Sequence, residues 1–173
     1  GFTKSLEMNY CMRCFRWTHY GDYKKGQEII LKEEVLSKLN SKKGFVFFFI
    51  DFLNLHEESI RCFKDITLPK VFVISKLDTI PECIYLEKIK IWLKNIWKIN
   101  EDILFIQQNS KTSIKKIEEK ILASGHQTIY FAGMTNAGKS TFLNSFFETN
   151  EITVSEIPNT TLDFMKLQMG DFT

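Results

Sequence analysis

Between Gln127 and Thr141 the chain carries Gly133 and then Gly138, Lys139, Ser140 and Thr141, a Gly-x-x-x-x-Gly-Lys-Ser pattern. A β-prone apolar run, Thr128 to Ala132, precedes it, and an amphipathic helix is expected after it over Ser140 to Phe147, the context in which this pattern carries meaning. Each position has a chemical reason. Gly133 and Gly138 lack a Cβ, so the backbone can turn tightly and aim N–H groups at phosphate oxygens. Asn136, Ala137 and Gly138 belong to that cradle, and the start of the helix, through Thr141, adds free N–H groups and its positive dipole end. Lys139 offers a point charge to the β- and γ-phosphates, and the Ser140 hydroxyl is a ligand for Mg²⁺. The bland alternative is a glycine-rich turn with a surface lysine. With both flanks in place, a nucleoside triphosphate site is the expectation.

A second cluster lies upstream. Ser75, Lys76 and Asp78 fall at the end of a buried strand expected over Val71 to Ser75, where ligand sites of open α/β sheets belong. The Asp78 carboxylate can accept two N–H bonds from the edge of guanine, which adenine does not supply. The stem of Lys76 can lie along the base plane. After the next expected strand, Ile103 to Gln107, come Asn109, Ser110 and Lys111, at the position of a loop that closes over guanine. Alone, Ser-Lys-Leu-Asp is most often a strand-to-helix turn. Its placement before Asn-Ser-Lys and before the phosphate loop strengthens it.

A third set sits near the start. Cys11 and Cys14, two cysteines at metal-ligand spacing, are half of a zinc site, with His19 as a candidate third ligand. Two cysteines in a loop without metal is the other reading, and both stay open. Arg13, Arg16, Lys24 and Lys25 alternate with Phe15, Trp17 and Tyr20, a pattern suited to stacking on RNA bases and pairing with phosphates; a solvated basic face is the plainer account.

The elements that would position these groups alternate. A helix is expected over Gln27 to Leu39, a buried strand over Phe45 to Ile50, a short helix over Glu57 to Asp65, and a long helix over Pro81 to Asn100. In that long helix Ile84, Ile89, Ile91, Leu93 and Trp97 are expected to cover a sheet. A further helix is expected over Ser113 to Ala123, and Leu162 to Met169 alternates like an exposed or edge strand. Strands alternating with helices imply a parallel sheet with helices on both faces. With 173 residues, 44% hydrophobic and 25% charged, the chain has the composition of an ordinary soluble domain plus a small appendage. The formal charge of +2 gives no general pull toward nucleic acid. The longest apolar run, Phe45 to Ile50, is too short to cross a bilayer. The four cysteines, with no secretory signal in view, read as reduced thiols or metal ligands.

In most GTPases the phosphate loop comes first and base recognition later; here the order is reversed. On that order the chain resembles the circularly permuted GTPases, most closely the YqeH type. The matching pieces are Cys11 to Arg16 with His19 and Tyr20, then Phe49 to Phe52 with Asn54, then Ser75 to Asp78 with Pro81. Gly133 to Asn144 follows, then Ser155 with Pro158 to Asp163. The resemblance implies a Ras-like P-loop NTPase sheet, mostly parallel, circularly permuted, with helices on both faces. Residues 1–26 would be half of a zinc-finger-like segment and residues 27–173 the GTPase domain. It implies GTP or GDP with Mg²⁺, and a place as an assembly factor of the small ribosomal subunit and its rRNA. That role is cytoplasmic in bacteria, or mitochondrial or plastid in a eukaryote. Thr161, or its neighbour Thr160, matches the switch threonine that reaches Mg²⁺ and senses the γ-phosphate. Asn136 matches an asparagine that in potassium-activated relatives holds K⁺ near the phosphates.

The sequence also departs from the pattern. Ser75 stands where asparagine is usual and Asn159 where glycine is usual; the first cysteine pair of the zinc module is absent. No Asp-x-x-Gly follows Thr161, so the sequence is expected to be cut short at both ends. The strand carrying that motif would lie between the Leu162–Met169 strand and the phosphate-loop strand. A nucleotide- and RNA-binding module without effective hydrolysis is therefore carried as the alternative to a GTPase. A P-loop ATPase or kinase is a third reading, opposed by the upstream Ser-Lys-Leu-Asp.

Overall fold

The computed structural model describes residues 25–107, 110–134, 136–149, 154–156 and 162–168. The elements run α1 (Lys25–Asn40), β1 (Phe45–Asp51), α2 (Glu57–Asp65), β2 (Lys70–Ser75), α3 (Leu86–Trp97), β3 (Ile103–Phe105) and α4 (Lys111–Ser124). They continue with β4 (Thr128–Met134), α5 (Lys139–Thr149), β5 (Val154–Glu156) and β6 (Leu162–Gln168). The sheet order is β3-β2-β1-β4-β6-β5. Strands β1 to β4 are mutually parallel, and β6 is antiparallel to both β4 and β5.

β1 is the central strand, and every one of its residues is buried. Because side chains alternate across a strand, its two sets of residues feed two separate cores. Val46, Phe48 and Ile50 join Ile60 and Phe63 of α2, Phe72 and Ile74 of β2, and Ile89 and Leu93 of α3 on one face. Phe45, Phe47 and Phe49 join Ile114, Ile117 and Ile121 of α4 and Phe142, Leu143 and Phe146 of α5 on the other. Phe47 stacks on Phe131 of β4 with centroids 5.5 Å apart, and Phe48 stacks on Phe72 at 6.2 Å. Fully burying each such ring brings about 1.5–3 kcal/mol.

Handedness explains the two faces. From β1 to β2 to β3 the chain moves one way along the sheet, and the intervening helices α2 and α3 lie on one side. From β3 to β4 it travels back past β1, so a right-handed crossover puts α4 on the opposite side. The direction reverses between β1 and β4, and the chain leaves β1 toward one face and β4 toward the other. That is the switch point, beyond the carboxyl ends of the strands, at which open α/β sheets place their ligands.

Local chemistry sets the helix ends. His56 accepts from the N–H of Ser59, whose hydroxyl accepts from the N–H of His56, closing a capping box on α2. At the other end, the Lys70 ammonium donates to the carbonyls of Phe63 and Lys64, at 2.8 and 3.1 Å, and to that of Ile66. It thus occupies the negative end of the helix. Its burial pulls its pKa below the ordinary lysine value, against the opposing pull of Glu101. α4 starts at the Ser110 cap and ends at Gly125, whose φ of 66° is left-handed.

Three expectations need correction. The helix expected from Pro81 begins only at Leu86, and Pro81 to Ile84 form a turn in which Ile84 N donates to Pro81 O at 3.0 Å. Ile89 and Leu93 are buried as expected; Ile91 is exposed because it lies off the stripe that faces the sheet, and Ile84, which precedes the helix, is exposed as well. The Leu162–Gln168 strand is not an edge: it is flanked by β4 and β5. It also lies directly against β4, in the slot expected for a further strand, with Ala132 opposite Phe164 and Gly133 opposite Asp163. Unpaired β4 backbone is satisfied by whichever strand can reach it.

Candidate nucleotide-binding site

The carboxyl ends of β1, β2 and β4 bring the two sequence clusters together. Asp51 and Ser75 are register partners, as are Phe49 and Gly133. Gly133 lies within β4, and the reason it is glycine differs from the sequence expectation. It does not turn the chain with a positive φ. A Cβ there would drive into the Phe49 carbonyl oxygen and lie 2.9 Å from the Phe49 Cβ, so its absence lets two parallel strands close up beside the loop. The turn itself is made by Asn136 and Gly138, with φ of 64° and 73°. Asparagine is among the few residues with a side chain that accept this region readily.

Past Gly133 the loop is held at three points. Ala137 N donates to Met134 O at 3.2 Å, and Phe142 N to Gly138 O at 2.9 Å, which starts α5. The Ala137 side chain is buried in the core. Lys139, the first residue of α5, is buried with 5% exposure, an unusual place for a lysine. Asn136, Ser140 and Thr141 are exposed. The third point of support comes from β2. Ser75, buried at 1%, donates its hydroxyl hydrogen to Ala137 O at 2.6 Å; Ile50 O, at 3.1 Å, is the alternative acceptor. One hydroxyl has one hydrogen, so it serves one carbonyl at a time.

Immediately after Ser75, Lys76 adopts the left-handed conformation (φ 59°, ψ 45°) and a 3-10 turn, Leu77–Thr79, follows. Thr79 N and Oγ1 both donate to Lys76 O, at 3.0 and 2.7 Å, and Leu77 N donates to Ile106 O at 3.4 Å. Asp78 sits on this turn with its side chain exposed. Lys76 Nζ pairs with Asp51 Oδ2 at 2.7 Å. Ser110 accepts from Ser113 N at 3.4 Å, and Ser113 in turn accepts from Gln107 N at 2.9 Å, which fixes the approach to α4; Lys111 is exposed at its start.

The structure therefore places Ser75, Lys76, Ala137, Gly138 and Lys139 in one contiguous region. Thr160, Thr161, Asn109, Cys11 and Cys14 lie outside the described residues. Among the described residues, no three His, Cys, Asp or Glu side chains group as a metal cage would need. A Mg²⁺ ion here would depend on the exposed Ser140 hydroxyl and on the phosphates themselves. Asp51, which the sequence offered only as one of the residues carrying the family resemblance, was given no role in the site. It is 4% exposed and accepts from Leu53 N at 2.9 Å, Asn54 Nδ2 at 3.2 Å and Lys76 Nζ. The signal was available: a carboxylate closing an otherwise apolar, fully buried strand must be answered by donors from elsewhere.

A mostly parallel sheet wound in both directions, with a glycine-lysine-serine loop between β4 and α5, is the architecture of a P-loop NTPase fold. The segment carrying Ser75 to Asp78 precedes that loop in the chain. Comparison with known families adds the rest. The model of the RsgA GTPase family matches residues 54–162. The chain belongs to that family. The crystal structure of YjeQ from Thermotoga maritima is similar at 16% identity, with a TM-score of 0.47 over 71% of this chain and 47% of that one. The chain thus spans less than half the length of that protein. No curated protein sequence matches it. No helix among the described residues is long and apolar enough to cross a membrane.

Proposed function

We propose that this chain binds GTP and GDP with Mg²⁺ and hydrolyses GTP as an assembly factor of the small ribosomal subunit, of the YqeH type. The observation that carries the reading is the hydrogen bond from Ser75 Oγ to Ala137 O, which joins the base-recognition segment to the phosphate loop at 2.6 Å. In this reading Asn136 to Thr141 cradle the phosphates, Lys139 neutralises them, and Ser75, Lys76, Asp78, Ser110 and Lys111 surround guanine. Mg²⁺, when bound, supplies charge between the phosphates with Ser140 and Thr161 as its hydroxyl ligands. Asn136 holds K⁺ beside the phosphates, and Thr161 reports the nucleotide state. The subtype rests on Cys11 to Tyr20, which precede the family match and would hold Zn²⁺ and touch rRNA.

Equilibrium titration with GDP and ADP, followed by single-turnover hydrolysis in potassium and sodium buffers, tests the reading. GDP should win by at least about tenfold, a difference of 1.4 kcal/mol. Equal affinities would sink it. A second reading, nucleotide and RNA binding without effective turnover, is favoured by Ser75, which has one donor hydrogen to brace a loop between two carbonyls. Tight GDP-selective binding with no phosphate release in either buffer would select it.

A further inference from the structure

We infer that Asp51 is the positioning residue for guanine discrimination, acting through Lys76 to hold the turn that carries Asp78. The inference rests on the nucleotide reading above and adds a residue to it. Lys76 is a non-glycine residue at φ 59°, a conformation that costs roughly 1–2 kcal/mol for a residue with a Cβ. Nothing in its own side chain favours that conformation as an asparagine would. The support comes from across the sheet, where Asp51 Oδ2 holds the Lys76 ammonium at 2.7 Å.

Asp51 is built to be an anchor. It is buried at the end of the central strand, and both its oxygens are already fixed on β1's own exit turn, through Leu53 N on one and Asn54 Nδ2 on the other. A carboxylate held in this way has little freedom to follow a moving partner, so Lys76 must come to it. The turn after Lys76 hangs from its carbonyl by two hydrogen bonds from Thr79. Asp78 lies between those points. Its direction is therefore set by the backbone of Lys76, and that backbone by Asp51. Adjacent residues thus have separate jobs: Ser75 braces the phosphate loop, and the Lys76–Asp51 pair braces the base loop.

Asp51→Asn tests this. The amide keeps an acceptor for Leu53 N while losing the charge that holds Lys76. Binding of GDP, IDP (whose base lacks the exocyclic amine) and inorganic pyrophosphate would be measured for both proteins, together with urea midpoints. The variant should lose about ten- to a hundredfold in GDP affinity, the scale on which small misplacements act. Its GDP-over-IDP preference should fall toward unity while pyrophosphate affinity changes less than about threefold, within one ordinary weak contact. Asp51→Glu, which keeps the charge, should recover part of the preference. A wild-type GDP-to-IDP ratio in Asp51→Asn, or a parallel loss of GDP and pyrophosphate, would overturn the inference alone. Failure of the native protein to prefer GDP over ADP would instead overturn the nucleotide reading and this inference with it. Should Asp51→Asn fail to fold, Lys76→Met carries the test: methionine keeps the apolar stem and the left-handed strain, removes the ion pair, and must still lower the GDP-to-IDP ratio.

Discussion

The Ser75 hydroxyl donates to the carbonyl oxygen of Ala137 at 2.6 Å, a contact across 62 positions of sequence that ties the end of β2 to the phosphate loop. Ser75→Ala leaves two buried carbonyls, of Ile50 and Ala137, without that donor. A cost of about 1–3 kcal/mol is expected in urea unfolding, with a matching loss of GDP affinity. Ser75→Asn supplies two N–H donors and should serve both carbonyls, raising GDP affinity above that of the native protein. Tighter binding by the alanine variant would contradict this account of the loop.

Gly133 and Gly138 are glycines for different reasons, and alanine should separate them. At Gly133 the new methyl meets the Phe49 backbone, so β1 and β4 must part, at a cost of about 1–3 kcal/mol or more in global stability. At Gly138 the penalty is the left-handed φ of 73°, roughly 1–2 kcal/mol and confined to the loop. Urea midpoints should fall more for Gly133→Ala, and nucleotide affinity relative to stability should fall more for Gly138→Ala.

Lys139 and Asp78 are expected to act on opposite ends of the nucleotide. Lys139→Ala should weaken GDP and pyrophosphate alike, by about 2–5 kcal/mol, since it removes one partner of a buried charge contact. Asp78→Asn should leave pyrophosphate affinity intact and exchange base preference. The amide can donate to the carbonyl that xanthine carries where guanine has an amine, so XDP should overtake GDP by about tenfold or more, 1.4 kcal/mol. Competition titrations with the three ligands check both.

Lys70 gives a pH signature far from the site. Burial holds its pKa below the ordinary lysine value of 10.5, the Glu101 carboxylate acting in the opposite sense. Between the folded value and 10.5 the unfolded chain binds the extra proton, so stability rises with pH across that window and the gain is lost as pH falls through the folded value. Lys70→Met cannot show this rise. It also removes the cap on α2, so it should be less stable than the native protein at neutral pH. The difference between the two in urea midpoint, followed from neutral pH to above 10.5, should widen as pH climbs.

How much of this was open to a reader of the chain alone depends on distance along it. Local patterns settled the alternation of strands and helices, the span of α2, the buried character of β1 and the glycine-lysine-serine loop. All of these follow from side-chain periodicity, capping and turn chemistry within a few residues. The reversed order of the two recognition segments also stands in the sequence itself. What the chain alone could not decide was which groups meet. Pro81 and the following isoleucines look helical until packing against β2 and β3 admits only the stripe through Ile89 and Leu93. Leu162–Gln168 looks like an edge until β4 offers it an open row of backbone groups on one side and β5 covers the other. The Asp51–Lys76 and Ser75–Ala137 contacts join residues 25 and 62 positions apart. Hydrogen bonds and ion pairs act over about 3 Å, so only the folding of the sheet, which brings three strand ends to one edge, could determine them.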